Sequence, residues 1–144
     1  MKPLKSILLV TVFITLITAC GPKPPVTLMF DNPYAPQAGD SDLIAGDITV
    51  DSASVFLTES KPQQLMVNFA YFQPTPCYQL RVEVSGPDAD NRINIKAYAV
   101  AEKDKACTLM ALATPLQASL NLGSIPKGHY TVLLNGNQIG EFDS

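Results

Sequence analysis

Few side chains in this sequence carry the chemistry for catalysis or ligation: three cysteines, Cys20, Cys77 and Cys107, and a single histidine, His129. A nucleophilic site would pair a thiol with a base and steady that base with a third group. A zinc site would gather four sulfur or nitrogen ligands. Two distant cysteines and one histidine make a poor zinc set, so no metal is expected, and a Cys–His pair stays open only as a formal alternative. No Gly-x-Ser-x-Gly elbow and no phosphate-binding loop occur. Asp88, Asp90 and Asn91 cluster oxygen donors. Counted from Asp88, however, the glycine and the final acid of an EF-hand loop fall on Ile93 and Ala99. A solvated hairpin tip explains that stretch better. His129 stands among turn residues and is expected on an exposed strand, and a pH response there would need a carboxylate whose position the local sequence does not reveal. No catalytic residue is assigned and no cofactor is expected.

The setting of Cys20 is different. Lys2 and Lys5 precede an uncharged apolar run from Ser6 to Ala19. That run falls short of the roughly 20 residues a spanning helix needs, and behind a basic start it reads as an export signal over residues 1–19. It ends Ile17-Thr18-Ala19-Cys20. This resembles the lipobox of bacterial lipoproteins: aliphatic, small, small, cysteine. The resemblance implies a diacylglyceryl group on the Cys20 thiol, cleavage before Cys20, and often acylation (palmitate, for example) of the new amino group. Two or more chains hold a protein stably on a membrane surface without any spanning segment. Gly21 rather than an aspartate after the cysteine favours the outer membrane in the enteric version of the family. A membrane-spanning helix and a cleaved, freely secreted product are the two competing readings.

Residues 20–45 read as a tether. Pro22, Pro24, Pro25, Pro33 and Pro36 interrupt any helix and favour an extended arm. Val26 to Phe30 could add an edge strand or none. The remainder, 46–144, is long enough for one domain with a modest core. Ten basic residues against 13 acidic give a net charge of −3, and loss of the signal removes two lysines. This balance argues against nucleic acid or an acidic surface as partner.

The elements that must position these residues are strands. Leu65 to Phe72 alternates, with Met66, Asn68 and Ala70 opposite Val67, Phe69 and Tyr71. Leu80, Val82 and Val84 oppose Arg81 and Glu83. Ile93, Ile95, Ala97 and Ala99 oppose Asn94, Lys96 and Tyr98. Ile48 to Leu57 is rich in β-branched residues, Leu116 to Leu122 and the stretch after His129 alternate again, and Asn137 to Phe142 closes the chain. A period of two with one apolar face predicts sheets wet on one side. Ser85-Gly86-Pro87-Asp88 and Asn135-Gly136 are turn signals. Seven or so short strands read as an all-β, immunoglobulin-like β-sandwich. The stretch from Ala101 to Ala113 reads as a loop leading into a strand. Phe69, Tyr71, Phe72 and Tyr78 gather near Pro74 and Pro76. They are expected mainly in the core, with an exposed binding edge as the alternative.

With Cys20 committed to lipid, Cys77 and Cys107 are an even pair in an exported chain and are expected to form a disulfide. After the Pro126-Lys127-Gly128 turn, Tyr130 at the start of a strand resembles the tyrosine corner of immunoglobulin-like sandwiches. That resemblance implies an inward ring and a hydroxyl bonded to upstream backbone. Pro76-Cys77-Tyr78, the second Cys107-Thr108, and Leu122-Gly-x-x-Pro-x-Gly-x-Tyr-Thr-Val-x-x-Asn-Gly together look like a small exported domain of bacterial lipoproteins and secreted proteins. The likeness spans about Ile48 to Phe142 and brings a fold and a disulfide but no activity. The expected function is binding or structural work at the cell envelope, without catalysis, through protein or glycan contacts. An inhibitor or accessory subunit of an envelope enzyme is the alternative.

Overall fold

Alternation leaves each strand with one apolar face to bury, and two sheets laid face to face bury both. The computed structural model describes residues 30–107 and 114–144 and has this arrangement. The signal, the lipobox with Cys20, and residues 26–29 lie outside the described residues, as do 108–113 of the expected loop. Phe30 itself is in no strand. No helix among the described residues is long and apolar enough to cross a membrane.

The described residues form eight strands: β1 (Leu43–Gly46), β2 (Thr49–Leu57), β3 (Leu65–Phe72), β4 (Gln79–Ser85), β5 (Arg92–Glu102), β6 (Leu116–Asn121), β7 (His129–Leu134) and β8 (Asn137–Asp143). One sheet has the order β2-β3-β6. The other is built around β5, with β4 along one edge and β1 and β7 along the other, and β8 outside β7. All pairs are antiparallel except β5 with β7. Between the sheets lie Leu65, Val67, Phe69 and Leu120 from one side and Val82, Ile93, Tyr130 and Val132 from the other, all essentially inaccessible to water.

The arm differs from the expected extended tether up to residue 45. Leu43–Gly46 pairs with β5 from Glu102 to Ala99. Upstream, Ala38–Asp42 forms a 3-10 helix. Further upstream, the Tyr34 carbonyl accepts from the Val82 N–H at 2.8 Å and the Asn32 amide donates to the Val82 carbonyl at 2.7 Å. Phe30 and Tyr34 pack on the core. The folded body therefore begins by Phe30, ahead of the expected boundary at residue 46. The reason is that the free edge of β4 offers unpaired backbone groups, and prolines that forbid a helix do not forbid an edge contact. Gly46 lets the Tyr78 ring close in on the strand: a Cβ there would meet it at 2.7 Å, so the ring would have to shift.

Candidate functional site

Cys77 and Cys107 are bonded, with Cα atoms 6.0 Å apart. Cys77 lies in the link from β3 to β4 and Cys107 in the link leaving β5, so the bond joins two connections that each pass between the sheets. The Thr75 hydroxyl stands 3.0 Å from the Cys107 sulfur. Both thiols are used by the bond.

Arg81, expected on the polar face of β4, is 5 % exposed and is the only buried charged or polar residue among the described ones. Its guanidinium meets the Asp40 carboxylate through two bonds, Nε to Oδ2 at 2.7 Å and Nη2 to Oδ1 at 3.0 Å. The 3-10 helix of the arm supplies Asp40, and Asp40 also accepts from the Gln37 N–H. Hydrogen bonds from Arg81 first, then from Gln37, hold the Asp40 carboxyl below its usual value, and Asp40 in turn raises Arg81. Across the strand pair from Arg81 stands Tyr98. Burial, and then a bond to Glu83, raises its phenol. Lys96 lies over the Tyr98 ring at 5.1 Å and faces Glu83 at 3.7 Å.

Two open depressions, of about 420 and 400 Å³, flank this area, and Lys96 and Asn135 line both. The Asn135 amide is committed: it accepts from the Ala97 N–H at 2.7 Å and donates to the Ala97 carbonyl at 2.8 Å. Polar atoms here bind each other rather than converging on an empty point.

His129 is exposed on β7, with Nδ1 3.0 Å from Asp143 and Nε2 3.7 Å from Glu141. Both acids come from β8, where His129 is opposite Asp143. Counting outward from the Asn135-Gly136 hairpin would have pointed to them, within the one-residue shift that a bulge introduces. At the tip after β4, Asp88 accepts from the N–H groups of Asp90 and Arg92 and from the Arg92 guanidinium. The Arg92 N–H chiefly holds Asp88 below its usual value. Among the described residues no three His, Cys, Asp or Glu gather as a metal site.

Tyr130 is buried and stacks on Phe142 at 5.4 Å between ring centroids. Its hydroxyl lies beside Gly128. Phe69 and Tyr71 are in the core, tilted against each other, while Phe72 and Tyr78 are half-buried.

The outer face of the β2-β3-β6 sheet is uncharged over three cross-strand rows. Ser52, Ala70 and Gln117 form one, Ser54, Asn68 and Ser119 the next, and Phe56, Met66 and Asn121 the third. Within it Ser119 bonds Asn68, and Phe56 is 44 % exposed.

A family model described as the ORF11 beta-sandwich domain matches residues 67–144. That span runs from within β3 to the end of β8 and holds both bonded cysteines. No curated protein and no solved structure matches the chain.

Proposed function

The chain belongs to the ORF11 beta-sandwich domain family, and on that premise we propose that it is a lipid-anchored protein of the bacterial cell envelope. Its sandwich serves as a binding or structural module rather than an enzyme. The family description names a fold and no activity, so the reading rests on the chain itself. The observation that carries it is the division of labour among the cysteines. Cys20 follows a short uncharged apolar run behind two lysines, in a sequence that resembles a lipobox, while Cys77 and Cys107 form a disulfide, a bond that persists in oxidising compartments outside the cytosol.

A non-catalytic role is supported by how the charged groups are spent. Arg81 with Asp40, Arg92 with Asp88, and His129 with Asp143 are each engaged with the other. Binding then falls to the sheet faces and loops, and an envelope protein or glycan is the partner class. The acidic balance disfavours nucleic acid.

Intact-mass analysis of the membrane fraction, before and after reduction and alkylation, tests the address. The expected product starts at Cys20, carries acyl mass, and shows two alkylatable thiols only after reduction. A chain with no acyl mass on Cys20 sinks the proposal.

A further inference from the structure

Exposed sheet edges invite pairing with other chains, and folded proteins guard them with charges, bulges, short strands or covering segments. Four of the edges here are guarded. The β4 edge is covered by Asn32 and Tyr34. β2 carries a register shift at Asp51, and β8 carries one at Ile139 together with Glu141 and Asp143. β1 has only four residues. Among the described residues β6 has none of these devices. Its six residues, LQASLN, hold no charge and no proline and pair with β3 without a bulge.

The backbone of β6 shows which groups are left over. Leu122 N–H donates to the Leu65 carbonyl at 2.8 Å, and Leu65 N–H to the Gly123 carbonyl at 2.9 Å. Antiparallel ladders alternate, so even-numbered residues of β6 turn their backbone groups to β3. Gln117, Ser119 and Asn121 turn theirs outward. No backbone hydrogen bond among the described residues reaches that side, and all three residues are exposed.

We propose that this edge is a self-association site, at which β6 pairs antiparallel with β6 of a second copy about a two-fold axis at Ser119. Only one register pairs all three outward residues: Ser119 faces its own copy, and Gln117 faces Asn121 of the second copy. A two-fold contact sets each residue near the axis against itself or a near neighbour, so a charge there would meet a like charge. In a chain with 16 % charged residues, β6 is neutral throughout. Ala118 falls opposite Leu120 of the second copy, so the apolar inner face runs on unbroken and the uncharged outer face doubles. Two three-stranded sheets become one of six.

Cysteine scanning in the full chain tests the register. In the paired edge the two Ser119 Cα atoms lie roughly 5.5 Å apart, within the range a disulfide spans. Ser119→Cys should therefore give a covalent dimer on oxidation. The two Gln117 positions lie roughly 14 Å apart, so Gln117→Cys alone should form no covalent dimer, while a mixture of Gln117→Cys and Asn121→Cys chains should cross-link. Ser119→Pro removes an outward N–H without touching the β3 ladder. It should keep the Cys77–Cys107 bond and the β circular dichroism signal while weakening self-association about tenfold or more in sedimentation. A monomeric wild-type chain, a Ser119→Cys chain that does not cross-link, equal cross-linking at 117 alone, or unchanged association of Ser119→Pro would each overturn the proposal. A monomer that instead binds an extended peptide along β6 would assign the edge to a foreign strand and overturn it equally.

Discussion

At the residue scale, the side-chain amide of Asn135 occupies a gap in a sheet. β7 pairs with β5 from Arg92 to Ile95, and β1 pairs with it from Ala99 to Glu102, so the edge between has no strand. Ala97 lies in that gap, and Asn135 bonds both of its backbone groups. The backbone of Asn135 is left-handed, φ 50°, a conformation Asn and Gly adopt readily. Asn135→Gly keeps the turn and removes both bonds. It should cost about 1–3 kcal/mol in urea unfolding, and Asn135→Asp, which sets a carboxylate oxygen against the Ala97 carbonyl, should cost at least as much at neutral pH. The sequence shows Asn135-Gly136 plainly as a turn. It does not show the amide's second role, because that role depends on β7 lying parallel to β5, a pairing far apart in the chain. The acids facing His129 were closer to legible, being set by a local hairpin.

At the element scale, alternation was enough to place β3 at its observed limits, since it has an apolar face that only one register buries. The arm was not legible by the same means. It has no period of two, and its contacts are of different kinds: a strand edge, a buried cation, and two rings laid on the core. Arg81 looked solvent-facing because alternation assigns a face but not what later covers it. The pairing of Arg81 with Asp40 gives the arm a pH dependence. Asp40 is depressed below 3.8 in the folded protein, so the unfolded chain takes up the proton first on acidification. The stabilisation is therefore fully present above 3.8 and is lost as pH falls through the lower folded value. Hydrogen exchange should show the Val82 amide protected at neutral pH, although β4 is an edge strand. Its protection factor should fall on acidification before those of Val67 and Ile93, and Asp40→Asn should lower it at neutral pH and flatten the acid response.

At the scale of the whole molecule, the sandwich and its single disulfide were readable from strand periodicity and cysteine count. The parallel β5–β7 pair and the gathering of β1, β4 and β7 on β5 were not, because short strands of similar pattern allow several orders. The bond between Cys77 and Cys107 closes a loop with a sequence separation of 30. The chain-entropy model assigns such a loop about 3–4 kcal/mol, a large part of the roughly 5–15 kcal/mol that holds a domain folded. Replacing both cysteines by serine should lower the unfolding free energy by about 3 kcal/mol, and reduction of the wild type should reach the same value. A loss under about 1 kcal/mol would show that strain or residual unfolded structure offsets the loop term.

The docked arm also determines how the molecule answers a pull. Tension entering the chain from residue 29 meets the Asn32 and Tyr34 contacts with Val82, then the Asp40 ion pair, before it reaches any strand. These are a handful of bonds that can break in succession. The core is held by two interleaved sheets and a covalent staple off that load path. Under force the arm is a fuse: it gives way first and releases up to roughly 45 Å of chain between residues 30 and 42. The sandwich stays whole while the slack absorbs the work.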